Sequence, residues 1–509
     1  MQTILSPYSG GSPDFAAIQA AAARDSRIDL VSVADLLRNA FVYPPHSILR
    51  SVKLVTLGFD ADHDMHAAPR FRFPFRDADK HDATTPRTEA EWVREYHHKL
   101  CDAVTRTTAD MHAPWLLQSG GKDSTTLAIA MADVRPETTC LTYLGGPEEN
   151  ELESADAVAR KLGLRHESLV CDPGRCYDRY LAAIPRMPLL TADFALLSYI
   201  DIATEIAARG GDGIVDGLGS DVYFGTPLTL QRRLLALLSQ RARWPRPLLE
   251  MPVIGDHFDL CFLLATLQMD PRERGFPGSR FSDADVDELM GMPISSASRV
   301  RLRAFEQDLA SATSHEELRA MLMSIAESAA AFAKGLYCAN ATSLSVAYPF
   351  CDPQFQQWGF TGLPREQQMD AAHHRNKTLV RAHIATRFDE LPYVQKKKGS
   401  FRFDVIGLAR SRFDQVHASA EEVRDIVPGA RDWLERNRGR LGNKFHASRF
   451  YLLAVVLPWL AQKRPEASPS PPRAPLRAVP TDVPSPLVSW KWQFTGMPAS
   501  EPTHFRRPH

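Results

Sequence analysis

The chain has no apolar run that approaches the roughly 18 residues of a membrane-spanning helix. Its longest candidate, Tyr451–Ala461, is too short and carries Pro458. The first residues, MQTILSPYSG, have no basic segment leading into an apolar core, so no secretory signal is read there and a cytoplasmic location is expected. Charge of one sign is lacking as well. Sixty Lys and Arg stand against 61 Asp and Glu, for a net charge of −1. That balance argues against a dominant electrostatic partner, so nucleic acid and membrane are not expected. Cysteine is sparse and unpaired: seven residues, an odd number, with no Cys-X-X-Cys. This excludes a disulfide framework and the paired-thiol zinc pattern, and it points to reduced thiols.

What is present falls into zones. Residues 1–91 mix short strand-like runs, such as Ile48–Leu57, with polar and proline-rich stretches. Residues 92–463 form the body, first alternating strand and helix patterns and then mostly helical, with the amphipathic run Glu316–Leu336. Residues 464–509 are rich in proline and serine and cannot bury enough apolar surface to offset chain entropy, so a disordered or extended tail is expected. Trp490, Trp492 and Phe494 within it are read as exposed, or as docking on the body.

The alternation in the body is regular. Trp115–Gln118, Thr139–Leu144, Arg165–Val170 and Gly213–Asp216 read as strands, β-branched or apolar and bounded by turn residues. Between them, Ser124–Val134, Glu151–Gly163 and Ala195–Gly211 have helical spacing, the last two ending on glycine. Strands and helices of these lengths imply βαβ units, hence an α/β fold with a parallel sheet and flanking helices. A largely helical C-terminal part and a small β-containing N-terminal remnant complete the expected fold. In such sheets ligands bind at the carboxyl ends of the strands.

At one such end stands Ser119-Gly120-Gly121-Lys122-Asp123-Ser124, leading directly into a helix. Glycines let backbone N–H groups approach an anion, and a helix N-terminus adds unsatisfied donors and partial positive charge. The two serines add hydroxyls. Asp123 is a poor phosphate ligand but a sound ligand for a magnesium ion that phosphates share. The stretch is not a Walker loop, because Lys122 is followed by Asp123 rather than Ser or Thr. It resembles the pyrophosphate loop of the N-type ATP pyrophosphatases, which cleave ATP to AMP and pyrophosphate and have the adenine nucleotide α-hydrolase-like fold.

A second motif narrows the resemblance. Ile214–Gly225, IVDGLGSDVYFG, is similar to the Ser/Thr-Gly-x-Gly-Ala/Ser-Asp-x-x-Phe-Gly loop of asparagine synthetases and β-lactam synthetases. The resemblance implies Asp221 as a second magnesium ligand facing Asp123, Gly217 and Gly219 as part of the nucleotide site, and Glu151 as the acid at the start of the helix near the nucleotide. Ala347–Pro353, AYPFCDP, resembles the family's Arg-Val-Pro-Phe-Leu-Asp, and NKTLVRAHI followed by DELPYVQKKKGSF resembles its Lys-x-Leu-Leu-Arg, Leu-Pro and Arg-x-Lys-x-x-Phe series. On that match Lys398, three before Phe401, is the catalytic lysine that meets the pyrophosphate, whereas Lys377 and Arg381 are read as structural or weak. The likeness runs over about residues 29–410.

Three departures shape the functional expectation. Residue 2 is Gln2 where glutamine-dependent members have a catalytic cysteine, and the stretch Asp29–Asp60 resembles only the closing part of their hydrolase domain, so no glutaminase activity is expected. Leu218 stands where asparagine synthetases have an acid and β-lactam synthetases a tyrosine, and Ala347 replaces an arginine. The resemblance therefore implies an amide-forming ligase that uses ATP and Mg²⁺, adenylates a carboxylate and passes the acyl group to an amine. Its substrate is a small molecule or peptide carrying those groups, in natural-product or modified-peptide biosynthesis as in β-lactam synthetases or lasso-peptide cyclases, with a partner protein delivering the substrate if it is a peptide. An ammonia-dependent asparagine synthetase-like enzyme, a tRNA-modifying ATP pyrophosphatase and a non-catalytic scaffold are the alternatives.

Overall fold

The computed structural model describes residues 2–5, 15–55, 87–145, 151–224, 257–270, 272–276, 280–313, 315–370, 375–389, 391 and 403–463. The proline-rich tail and its aromatics lie outside them. Strands β1 (Gln2–Leu5) and β2 (Val52–Val55) pair in parallel with each other. The main sheet is built from β3 (Pro114–Leu117), β4 (Thr139–Leu144), β5 (Arg165–Val170), β6 (Gly213–Val215) and β7 (Ser345–Ala347). Its five strands are all parallel, in the order β5-β4-β3-β6-β7. The central strands are continuous apolar runs, with Leu116, Ile214 and Val215 fully buried, because helices cover both faces.

The helices of this first half are α1 (Phe15–Arg24), α2 (Leu30–Asn39), α3 (Glu89–Thr107), α4 (Lys122–Val134), α5 (Glu151–Leu162), α6 (Pro173–Ala183), α7 (Leu196–Ala208) and the short α8 (Ser220–Phe224). Helix α3 begins in a capping box, the Thr88 hydroxyl accepting from the Glu91 N–H while the Glu91 carboxylate accepts from the Thr88 N–H. Helix α4 is buried from Ser124 to Met131. Its small residues, Ala128 and Ala130 among them, let it sit close beneath its neighbours. The chain leaves β3 toward β4 on one side and reaches β6 on the other. The loops after β3 and β6 therefore diverge at a topological switch point, where a crevice opens.

Two expected elements differ in detail. The run Glu316–Leu336 is helical, but it begins at His315, passes through a π-helical turn at Glu327–Phe332 and continues as an α-helix to Thr342. The run around Pro458 lies in a core helix, Lys444–Gln462, buried from Phe445 to Leu460. No helix among the described residues is long and apolar enough to cross a membrane. Residues of α1 and α2 share one hydrophobic core with that helix and with α6 and α7.

Candidate functional site

Ser119–Gly121 carry the chain from the carboxyl end of β3 into α4. Gly120 has φ +63°, and a Cβ there would lie 2.8 Å from Ser154 Oγ and 3.2 Å from the Ala155 backbone nitrogen of α5. Glycine is thus required twice over, by dihedral and by close approach. Gly121 is the N-cap of α4 and has no side chain to satisfy the first-turn N–H groups. Ser124 Oγ accepts from the Ser119 N–H at 3.2 Å and lies 3.1 Å from Ser119 Oγ, which holds the loop in a tight curve. The buried Ser154 hydroxyl, against Gly120, and the buried amide of Gln118, just before the loop, have no hydrogen-bond partner among the described residues. A cradle of glycine, free helix N–H groups and orphaned polar atoms suits a polyphosphate.

At the end of β6, Asp216 Oδ1 accepts from the Leu218 N–H at 3.1 Å and turns the chain back across the sheet end. Gly219, at φ +102°, passes Cys351 so closely that a Cβ would come within 3.0 Å of its Sγ. Helix α8 then starts, with Asp221 in its first turn. Ser220 Oγ donates to Asp123 Oδ1 at 2.7 Å, joining the two loops.

The centre of this junction is an ammonium group. Lys377 Nζ lies 2.6 and 2.7 Å from the two carboxylate oxygens of Asp123, 2.7 Å from Asp221 Oδ1 and 2.9 Å from Ser220 Oγ. Lys377 is 3 % exposed and sits at φ +61° as the N-cap of the helix Thr378–Ala385. Burial would lower its pKa, but the attraction of Asp123 and Asp221 outweighs it and holds the ammonium above the ordinary lysine value. Lys122 is held below that value by burial and by Arg381 and Lys377. His383 fixes the helix that presents Lys377: its Nδ1 is 2.7 Å from Thr126 Oγ1 of α4, and its Nε2 is 2.9 Å from His97 Nδ1 of α3.

Lys377, read from sequence as structural or weak, thus stands at the junction of the two loops. Its partners Asp123 and Ser220 lie 254 and 157 residues earlier in the chain, and nothing in its own neighbourhood carries the charge that would have revealed them. The signal for it in the sequence is its place in the NKTLVR stretch. Lys398 lies outside the described residues. The structure brings Ser119, Gly120, Gly121, Asp123 and Ser124 together with Gly217, Gly219 and Asp221 at the switch point. Glu151 is a buried residue at the start of α5, one turn ahead of Ser154.

Beside the two aspartates lies a cavity of about 80 Å³, bounded also by Leu218, Glu327 and Phe332. Leu218 packs with Phe332, Tyr348 and Cys351, so its side chain forms an apolar wall of the cavity. Glu327 opens the π-helical turn, a deviation that often marks a functional site. Burial pushes its carboxyl up to about 7, with Asp221 acting in the same direction and Lys377 and Arg319 against it.

The donor set fits a hard cation shared with phosphate. Both aspartates reach one cationic group at ion-pair distance. Among the described residues no group of three or more His, Cys, Asp or Glu is placed to hold a metal ion, so two carboxylates are what the protein offers here.

A family model for asparagine synthase matches residues 95–425, a span that contains both loops, the cavity and Lys377. No curated protein matches the chain. Among solved structures, the NMN synthetase from Francisella tularensis is similar at 13 % identity and a TM-score of 0.20, over 47 % of this chain and 94 % of that one.

Proposed function

The chain belongs to the asparagine synthase family, a family of ATP-using ligases, and we propose that it forms an amide by adenylating a carboxylate with release of pyrophosphate. The observation that carries this reading is the convergence of Asp123 and Asp221, from two strand ends, on one cationic position. A carboxylate is a poor acyl donor at neutral pH, and joining it to AMP supplies a leaving group. The substrate carboxylate attacks the α-phosphorus, pyrophosphate departs, an amine attacks the acyl carbon and AMP leaves.

Each residue has a part in this sequence. The Ser119–Ser124 loop cradles the pyrophosphate with backbone N–H groups and hydroxyls. Asp123 and Asp221 would hold magnesium, which when bound draws charge from the phosphate oxygens. Lys398 is assigned the charge that grows as the α–β bond breaks, a contribution commonly worth ~3–4 kcal/mol. Glu327, which lines the same cavity as Leu218, is assigned the proton of the attacking amine. The apolar wall at Leu218 argues for an acid other than aspartate, in the biosynthesis of a specialised metabolite or modified peptide.

The test is ATP–pyrophosphate isotope exchange screened over carboxylic acids. One class of acid should support exchange, and Asp123→Asn and Asp221→Asn should each abolish it. Exchange that survives both substitutions would remove the basis of the reading.

A further inference from the structure

Lys377 makes the interactions that a bound metal ion would make. It is held by both oxygens of Asp123 and one of Asp221, all at 2.6–2.7 Å, and the Ser220 hydroxyl completes the set. An ammonium and a divalent ion cannot both occupy that place, since each needs the same carboxylate oxygens. We propose that Lys377 is the resident counter-ion of the metal position, that it keeps free divalent cations out, and that it yields only to a metal arriving with a polyphosphate. This rests on the assignment of Asp123 and Asp221 as the metal's ligands.

The physical reason lies in what each exchange leaves behind. If a free metal ion displaced Lys377, the ammonium would remain in a pocket where the residue is 3 % exposed, having lost the carboxylates of Asp123 and Asp221 and keeping the single Glu327 carboxyl among the described residues that line the cavity. Neighbouring cations make that worse, since Lys122 lies close enough to Lys377 and Arg381 for their charges to repel it. Magnesium would moreover have to give up water for only two protein carboxylates, which it does reluctantly. When the metal comes with a polyphosphate, the same event delivers the anion that the displaced ammonium needs. Metal and nucleotide are then coupled, each binding better in the presence of the other. The left-handed backbone of Lys377 and the His383 contacts fix where its side chain starts, so the displacement is confined to a long, flexible side chain.

The experiment is Mn²⁺ binding to the full chain by electron paramagnetic resonance, with and without a non-hydrolysable ATP analogue. Wild type should bind Mn²⁺ weakly alone and at least tenfold more tightly with the analogue. Lys377→Met should bind Mn²⁺ alone at least tenfold more tightly than wild type, with a correspondingly smaller gain from the analogue, and its melting temperature should rise with Mg²⁺ alone whereas that of wild type should not. If Lys377→Met does not fold, Lys377→Arg keeps a cation in place and should retain the weak binding of Mn²⁺ alone. Wild-type protein that takes up Mn²⁺ alone as tightly as with the analogue overturns the proposal, as does a folded Lys377→Met variant with unchanged affinity. Pyrophosphate exchange that persists while Mn²⁺ binds alone would sink this inference and leave the adenylation reading standing. Loss of Mn²⁺ binding in no state, even for Asp123→Asn, would instead remove the ligand assignment itself.

Discussion

Glu327 and Leu218 border one cavity beside the paired aspartates, an acid and an apolar side chain lining the same space. Leu218 supplies an apolar wall with Phe332 and Tyr348. Glu327 supplies a carboxyl that burial holds near neutrality, suited to accept a proton at working pH. Glu327→Gln should therefore leave pyrophosphate exchange within a few-fold of wild type and slow amide formation by roughly 10²-fold. Single-turnover kinetics that follow adenylate and amide separately would check this, and equal loss in both steps would place Glu327 in the first step instead. Position 327 was not legible from sequence. It lies in an amphipathic run whose period reads as plain helix, and the π-helical turn that brings its first residue to the cavity leaves no mark on that period. The same holds for Lys377, whose partners are distant in the chain. Asp123, Ser119 and the two glycines were legible because their chemistry is local: a strand end, a tight turn and a helix start within six residues.

At the scale of elements, α2 is tied into the body by buried charge. Arg38 pairs with Glu273 at 2.5 Å and Asp283 at 2.8 Å, and the Tyr43 hydroxyl donates to Glu273 at 2.7 Å. Arg38→Met would leave the Glu273 carboxylate, whose side chain is 1 % exposed, with the Tyr43 hydroxyl but without its guanidinium partner. Unfolding in urea should show a loss of about 3–5 kcal/mol. A loss below ~1 kcal/mol would mean the segment is only loosely attached. His383 gives a second element-scale test. Burial, with His97 and Arg387 nearby, lowers its pKa to about 3 from an ordinary 6.5. The folded state thus disfavours the proton that the unfolded chain accepts. The stability His383 contributes is full above about pH 6.5 and is lost as pH falls toward 3, about 3 kcal/mol of it by ~pH 4. His383→Asn should flatten the acid limb of the stability–pH curve by about that much. An unchanged limb would assign the acid sensitivity to other buried histidines, such as His46 and His446. The strands and their connecting helices were readable because apolar runs and glycine stops are local signals. The ion pairs that lock α2 to residues 273–283 were not, since each charge taken alone reads as surface.

At the scale of the molecule, the parallel order β5-β4-β3-β6-β7 does the work of bringing the two loops together. The alternation of strands and helices predicts a parallel sheet, but not which strands are neighbours. The switch point beside β3 is a property of that order, and it turns two separate motifs into one site. The N-terminal helices belong to the same packing, since α1 and α2 share a core with the helix Lys444–Gln462. The account stands on the claim that this site splits ATP between the α- and β-phosphates. The most direct measurement is product analysis of the purified chain with ATP, Mg²⁺ and an acid that supports exchange. AMP and pyrophosphate should form in equal amounts, and Asp123→Asn should form neither; ADP and inorganic phosphate as the products would contradict the account.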